Sequence, residues 1–127
     1  YPSPLRRKIP MSLKQNVQDL QNKVFQGQIL EGFEQYYHDD IVMQENDEEP
    51  RVGKAANREY EQKFVESVET VHAGEILAIA VNEETGVAFI ESMMDLTFKN
   101  GFRAKMQQVS VQRWQGDKVI HERFYHK

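Results

Sequence analysis

The sequence predicts one α+β domain, three helices followed by a meander of antiparallel strands that they cover on one face. Three observations predict it. Apolar residues recur at helical spacing between residues 13 and 68, then alternate from about residue 70 onward. That change of period happens once, without internal repeats or low-complexity tracts, so helices and strands segregate into layers. At 127 residues with 39% hydrophobic and 10% aromatic content, the chain suits a single buried core.

The first ten residues, YPSPLRRKIP, hold three of the four prolines and stand apart as an N-terminal extension or partner-packing arm. Met11 reads as a natural start, which bounds the domain at 11–127. The arm lacks the apolar stretch of a secretory signal, so a cytoplasmic location is expected. Ser12 caps the first helix and Gln15 completes a capping box. Leu13, Val17, Leu20 and Val24 form its apolar stripe, and Gly27 interrupts it. A second short helix buries Ile29, Leu30, Phe33, Tyr36 and Tyr37, and Ile41-Val42-Met43 reads as a short strand. The acidic run from Glu45 to Pro50 is a solvated loop. Gly53 precedes a third helix with Ala56, Tyr60, Phe64 and Val68 on its inward face.

Strands are expected near 71–82, 86–98, 103–114 and 118–126. Asn100-Gly101 and Gly116-Asp117 are strong two-residue hairpin signals, and turn length sets register. With two-residue turns, Leu96 opposes Lys105, Ile90 opposes Val111 and Val111 opposes Glu122. One face then carries Ile90, Met94, Leu96, Phe98, Val109, Val111 and Phe124 under the helices, with Glu122 and Arg113 as an ion pair. The other carries Phe89, Glu91, Met93, Met106, Trp114, His121, Arg123 and Tyr125. That face is too apolar for water alone, which predicts a homodimer through it.

Composition excludes several function classes. Sixteen Lys+Arg against twenty Asp+Glu give a net charge of −4, without the basic footprint of a nucleic-acid binder. The absence of cysteine removes disulfides, thiolate metal sites and a Cys nucleophile. No apolar run approaches ~18 residues, so no membrane association is expected. His38, His72, His121 and His126 lack helical metal-ligand spacing, and no metal is expected. Ser67, Ser92 and Ser110 lack a nucleophile elbow, and single glycines make no phosphate cradle. No cofactor is expected.

Three passages carry a resemblance: GFEQYYHDDIVMQEN, GKAANREYEQKFVESV and VSVQRWQGDKVIHERFYHK. They resemble the SnoaL-like branch of the NTF2-like superfamily over residues 12–127, through Tyr36, Tyr37, Asp39, Asp40, Trp114, Lys118, Val119, Glu122, Arg123, Phe124 and Tyr125. The resemblance implies an NTF2-like (cystatin-like) cone, three N-terminal helices packed on a curved antiparallel sheet. It also implies a pocket between helices and sheet, as in ketosteroid isomerase and the polyketide cyclases. The isomerase's carboxylate base falls on Glu45. Its tyrosine in the first helix has no counterpart here, and where its second acid would stand the strand has Val109 and Val111 with Ser110 between them, so its oxyanion hole is missing. Phe124 occupies the place of the cyclases' acid/base Asp.

Glu45 and Glu122 are therefore the catalytic candidates, since a carboxyl at an apolar pocket titrates closer to neutrality and can move protons. Tyr60, Phe64, Met94, Phe98, Val109, Val111 and Phe124 are the candidate walls for a small apolar or aromatic ligand. Two function classes stay open: carboxylate-mediated isomerase- or cyclase-like chemistry, and a non-catalytic ligand-binding or interaction module.

Overall fold

Helix α1 (Leu13–Phe25) starts where the capping box places it, in a computed structural model that describes residues 11–127. The Ser12 hydroxyl accepts from the Gln15 amide, and the Gln15 side chain accepts from the Ser12 amide. The reading of residues 1–10 as an arm lies outside the described residues. Helix α2 (Ile29–Tyr36) runs directly into strand β1 (Tyr37–Glu45), so Tyr37 begins the sheet instead of ending the helix. The remaining elements are β2 (Arg51–Val52), α3 (Lys54–Ser67), β3 (Val68–Asn82), β4 (Val87–Phe98), β5 (Arg103–Gln115) and β6 (Lys118–His126).

The six strands form one sheet in the order β2-β1-β6-β5-β4-β3. It is not wholly antiparallel, as the sequence suggested. β1 lies parallel to β6, which sets Met43 beside Glu122 and Glu45 beside Phe124. Val17 and Leu20 of α1 and Phe33 and Tyr36 of α2 pack on Ile41, Met43, Ile90, Trp114 and Val119 to make the core. Phe33 stacks on Tyr37, and the Tyr36 ring meets Trp114 edge-on.

Register is where the structure departs most from expectation. The β4–β5 hairpin turns through three residues, Lys99 to Gly101. The Phe98 amide donates to the Phe102 carbonyl at 2.8 Å, and the Gly101 amide donates to the Phe98 carbonyl. Gly101 has φ +90°, a left-handed conformation that completes this longer loop. One extra turn residue slips β5 by one, and a one-residue slip turns over every side chain. Ser110 therefore opposes Ile90, and Met106 opposes Met94. Gly116-Asp117 is the expected two-residue turn, with Gln115 opposite Lys118. An irregularity after Arg113 then shifts the ladder, leaving Gln112 opposite Glu122.

The expected face assignment is corrected accordingly. Val109, Val111 and Arg113 lie on the outer face, and Met106, Ser110, Gln112 and Trp114 lie under the helices. The assignments for β4 and for Glu122 and Phe124 stand.

Gly86, in the β3–β4 turn, has φ +71°, and a Cβ there would lie 2.8 Å from the Trp114 carbonyl oxygen. That carbonyl belongs to backbone and cannot swing aside. Gly86→Ala is expected to cost about 1–3 kcal/mol, read as a lower urea midpoint at unchanged slope. An unchanged midpoint shows that the turn relaxes freely.

Candidate functional site

A cavity of about 150 Å³ lies between the three helices and the inner faces of β4, β5 and β6. Much of its wall is apolar, including Leu20, Phe33, Phe64, Ile90, Met94 and Phe124. Three carboxyl side chains, Glu45, Glu61 and Glu122, also reach it.

Glu122 is 2% exposed. Its oxygens accept from the Tyr37 hydroxyl, from Ser110 Oγ at 2.5 Å and from Gln112 Nε2 at 2.8 Å. Trp114 fixes the polarity of this network. Its indole Nε1–H can only donate, and it donates to Gln112 Oε1 at 3.0 Å. The Gln112 amide is thereby oriented with its NH₂ toward Glu122. Burial pushes the Glu122 carboxyl above the usual carboxylate range, while its three donors hold the rise back. The Tyr37 hydroxyl is pushed well above its ordinary value by burial and by the adjacent carboxylate, so it stays protonated and donating.

Glu61 sits on α3 and has no hydrogen-bond or ion-pair partner among the described residues. Burial, reinforced by the neighbouring charge of Glu122, raises its carboxyl to about 7. It is partly buried, it is poised near neutrality, and it was not among the residues the sequence nominated. The apolar stripe read on α3 is out of phase by about one position. Ala56 is exposed and Tyr60 half-exposed, whereas Asn57, Glu61 and Phe64 face inward.

Glu45 is held differently. Arg51 Nη2 lies 3.2 Å from one oxygen and His126 Nε2 lies 3.2 Å from the other. The Arg51 guanidinium also covers the Tyr60 ring at 3.5 Å and donates through Nε to Asn57 Oδ1 at 3.2 Å. Asn57 is fully buried and donates to the carbonyls of Gly53 and Arg51 at 2.8 and 3.0 Å, which pins the β2–α3 corner. The chain end is fastened to the same region, because Arg123 Nε donates to the Asn46 carbonyl at 2.7 Å.

Of the expected ligand walls, Tyr60, Phe64, Met94 and Phe124 line the cavity. Phe98 packs edge-on against Phe64 without reaching it. Val109 and Val111 are on the opposite face, for the reason of register given above. The expected Glu122–Arg113 pair does not form, since Arg113 opposes His121 on the outer face. Among the proposed interface residues, Phe89, Glu91, Met93, His121, Arg123 and Tyr125 do share the outer face. Met106 lines the cavity and Trp114 is buried in the core, so neither belongs to that surface. Tyr37, Ser110 and Gln112 join Glu61 as site residues that sequence reasoning missed.

Three helices laid over a six-stranded sheet, with carboxyls gathered in the hollow between, place the molecule in the NTF2-like α+β class. More narrowly, the chain belongs to the SnoaL-like domain family, whose model matches residues 17–122. Similar solved structures include a protein from Mesorhizobium loti assigned as a SnoaL-like polyketide cyclase. It has 29% identity and a TM-score of 0.79 over 91% of this chain and 99% of that one. SalBIII, described as an epoxide hydrolase/cyclase-like enzyme in pyran ring formation in the polyether salinomycin, has 20% identity and a TM-score of 0.76, covering 91% and 90%. A Bacillus subtilis protein assigned as an isomerase has 12% identity and a TM-score of 0.77, covering 92% and 90%. Identities this low in the last two show the shared fold alone. A search of curated proteins finds no match to the sequence. Among the described residues, no helix is long and apolar enough to cross a membrane.

Proposed function

We propose that the protein binds a small, mostly apolar molecule in the cavity and moves a proton on it by way of a carboxyl group, in an isomerase- or cyclase-like reaction without metal or cofactor. The observation that carries this reading is the meeting in one largely apolar cavity of Glu61, without a partner among the described residues and poised near neutrality, and Glu122, fixed by Tyr37, Ser110 and Gln112. Glu61 as carboxylate takes a proton from a carbon next to a carbonyl. The C–H electron pair becomes a C=C bond, and the carbonyl electrons move to oxygen, which accepts a hydrogen bond from the Tyr37 hydroxyl held beside Glu122. Glu61 then returns the proton at another carbon, which restores the carbonyl and the Glu61 carboxylate and yields the isomer. Glu45, engaged by Arg51 and His126, holds the rim and its positive charge in place.

The test is hydrogen–deuterium exchange at the α-carbon of small ketones in D₂O, followed by NMR. The protein is expected to accelerate exchange, and Glu61→Gln to reduce the acceleration by about 10²–10⁴-fold while ketone binding persists. Equal exchange by the variant removes Glu61 from the role.

The homodimer is retained as part of this proposal on a reduced surface. Phe89, Val109 and Tyr125 are 47%, 37% and 45% exposed on the outer sheet face, a concentration of apolar groups that an interface would cover. Sedimentation equilibrium is expected to give a dimer that Phe89→Glu dissociates. A monomeric parent protein refutes it.

A further inference from the structure

A second hollow of about 680 Å³ adjoins the acid-lined cavity, where the α1–α2 turn and the end of α3 stand over β3 and β4. Val24, Phe25, Ile29, Phe64 and Met94 line both, so the boundary between the two hollows is apolar. At Gly74 of β3 a Cβ would meet the Phe25 ring at 3.0 Å, so that ring of the shared boundary lies directly against the strand backbone.

The two hollows differ in chemistry. The inner one gathers three carboxyls with the Tyr37 and Ser110 hydroxyls. The outer one is mainly aliphatic and aromatic, and its charged lining residues are Glu31 and Glu69. Neither wall carries a Lys or Arg. A carboxylate or phosphate would find no free cation in either place, because Arg51 at the rim is already paired with Glu45, and it would face acids in both. The oxygens of Glu122 and Glu45 are already occupied by donors, and an ammonium on Glu61 would tie up the carboxylate that the proposed reaction uses as its base.

We infer that the ligand is a neutral amphiphile, with a carbonyl or hydroxyl head in the inner cavity and an apolar tail that passes Phe25 and Phe64 into the outer cleft. The sizes agree. About 150 Å³ holds a head of roughly benzene size, and the larger hollow has room for a chain of several carbons. This inference rests on the proposal that the inner cavity is the reaction site, and it adds the class of molecule that reaches it.

The experiment measures dissociation constants of the full chain for straight 2-alkanones from butanone to 2-undecanone by calorimetry. Affinity is expected to rise roughly fourfold per methylene and then level off once the tail leaves the cleft. Decanoate is expected to bind at least tenfold more weakly than 2-decanone. Val71 lines the outer cleft and is 62% exposed, so Val71→Glu leaves folding intact. It is expected to weaken 2-decanone at least tenfold and leave butanone unchanged.

A flat length series with butanone still bound overturns this inference and leaves the proposed function standing. Decanoate matching the ketone does the same, as does 2-decanone binding equally to V71E. A V71E substitution that converts a dimer to monomer shows that a second copy occupies the cleft instead. Failure of every ketone to bind overturns the inference and the proposed function together.

Discussion

Glu122→Ala is expected to lower the unfolding free energy by about 3–5 kcal/mol, measured by urea denaturation at neutral pH. The carboxyl is 2% exposed and accepts hydrogen bonds from three buried donors, each of which loses its partner when the side chain is cut back to Cβ. The hydroxyls of Tyr37 and Ser110 can rotate to seek other acceptors, but the Gln112 NH₂ cannot, because Trp114 holds its amide from the other side. Glu122→Gln separates structure from chemistry. Its Oε1 can accept from Gln112, and its NH₂ can donate to a hydroxyl turned around as acceptor. That variant is expected to stay within about 1 kcal/mol of the parent while slowing the reaction, because the Tyr37 hydroxyl loses the carboxylate that orients it. If alanine proves as stable as glutamine, the three-donor network does not carry the weight assigned to it.

The second large effect concerns Glu61 and depends on pH. Its carboxyl is raised from 4.5 to about 7 in the folded protein. An acid shifted upward binds protons more tightly when folded. Below the unfolded value both states are protonated and nothing is lost. As pH climbs from 4.5 toward 7 the folded state alone retains the proton, and stability falls. Above about 7 the penalty is complete. At roughly 1.4 kcal/mol per unit, that gap amounts to about 2–3 kcal/mol after allowance for the exposed part of the side chain. Glu61→Gln removes the penalty. The variant is expected to be more stable than its parent by that amount at pH 8 and indistinguishable from it near pH 4.5. Thermal melts of both proteins across this range decide the matter, and parallel curves would show that Glu61 is solvated. A side chain that weakens the fold under neutral conditions fits a group kept for chemistry.

Much of the architecture was legible because it is written in local signals. The Ser12–Gln15 box, the interruption at Gly27 and the switch of period before β3 depend on near neighbours, and the structure places the elements accordingly. The pairing of β1 with β6 was not legible, since nothing local says that a strand will lie parallel to one 75 or more residues away. The site was half legible. Glu45 and Glu122 reach the cavity, but Val109 and Val111 do not, because Asn100-Gly101 fits a two-residue and a three-residue loop equally well. A different signal was available. Strand β5 alternates polar Gln108, Ser110 and Gln112 with apolar Val109 and Val111, and only an interior rich in hydrogen-bond partners would turn the polar set inward. Glu61 was missed for the same reason. Apolar periodicity finds the buried side of a helix only where that side is apolar, and on α3 it carries Asn57 and Glu61.

The loop at Lys99–Gly101 has a reach beyond its own corner. Each strand has two alphabets of side chains, and the number of links in a bend decides which one the enclosed space can read. Here one link exchanges valines for a serine and two glutamines without altering a single letter of the strand. A scaffold with this property can acquire or discard a polar interior by lengthening or trimming a bend, a route that comparison of substitutions alone would overlook.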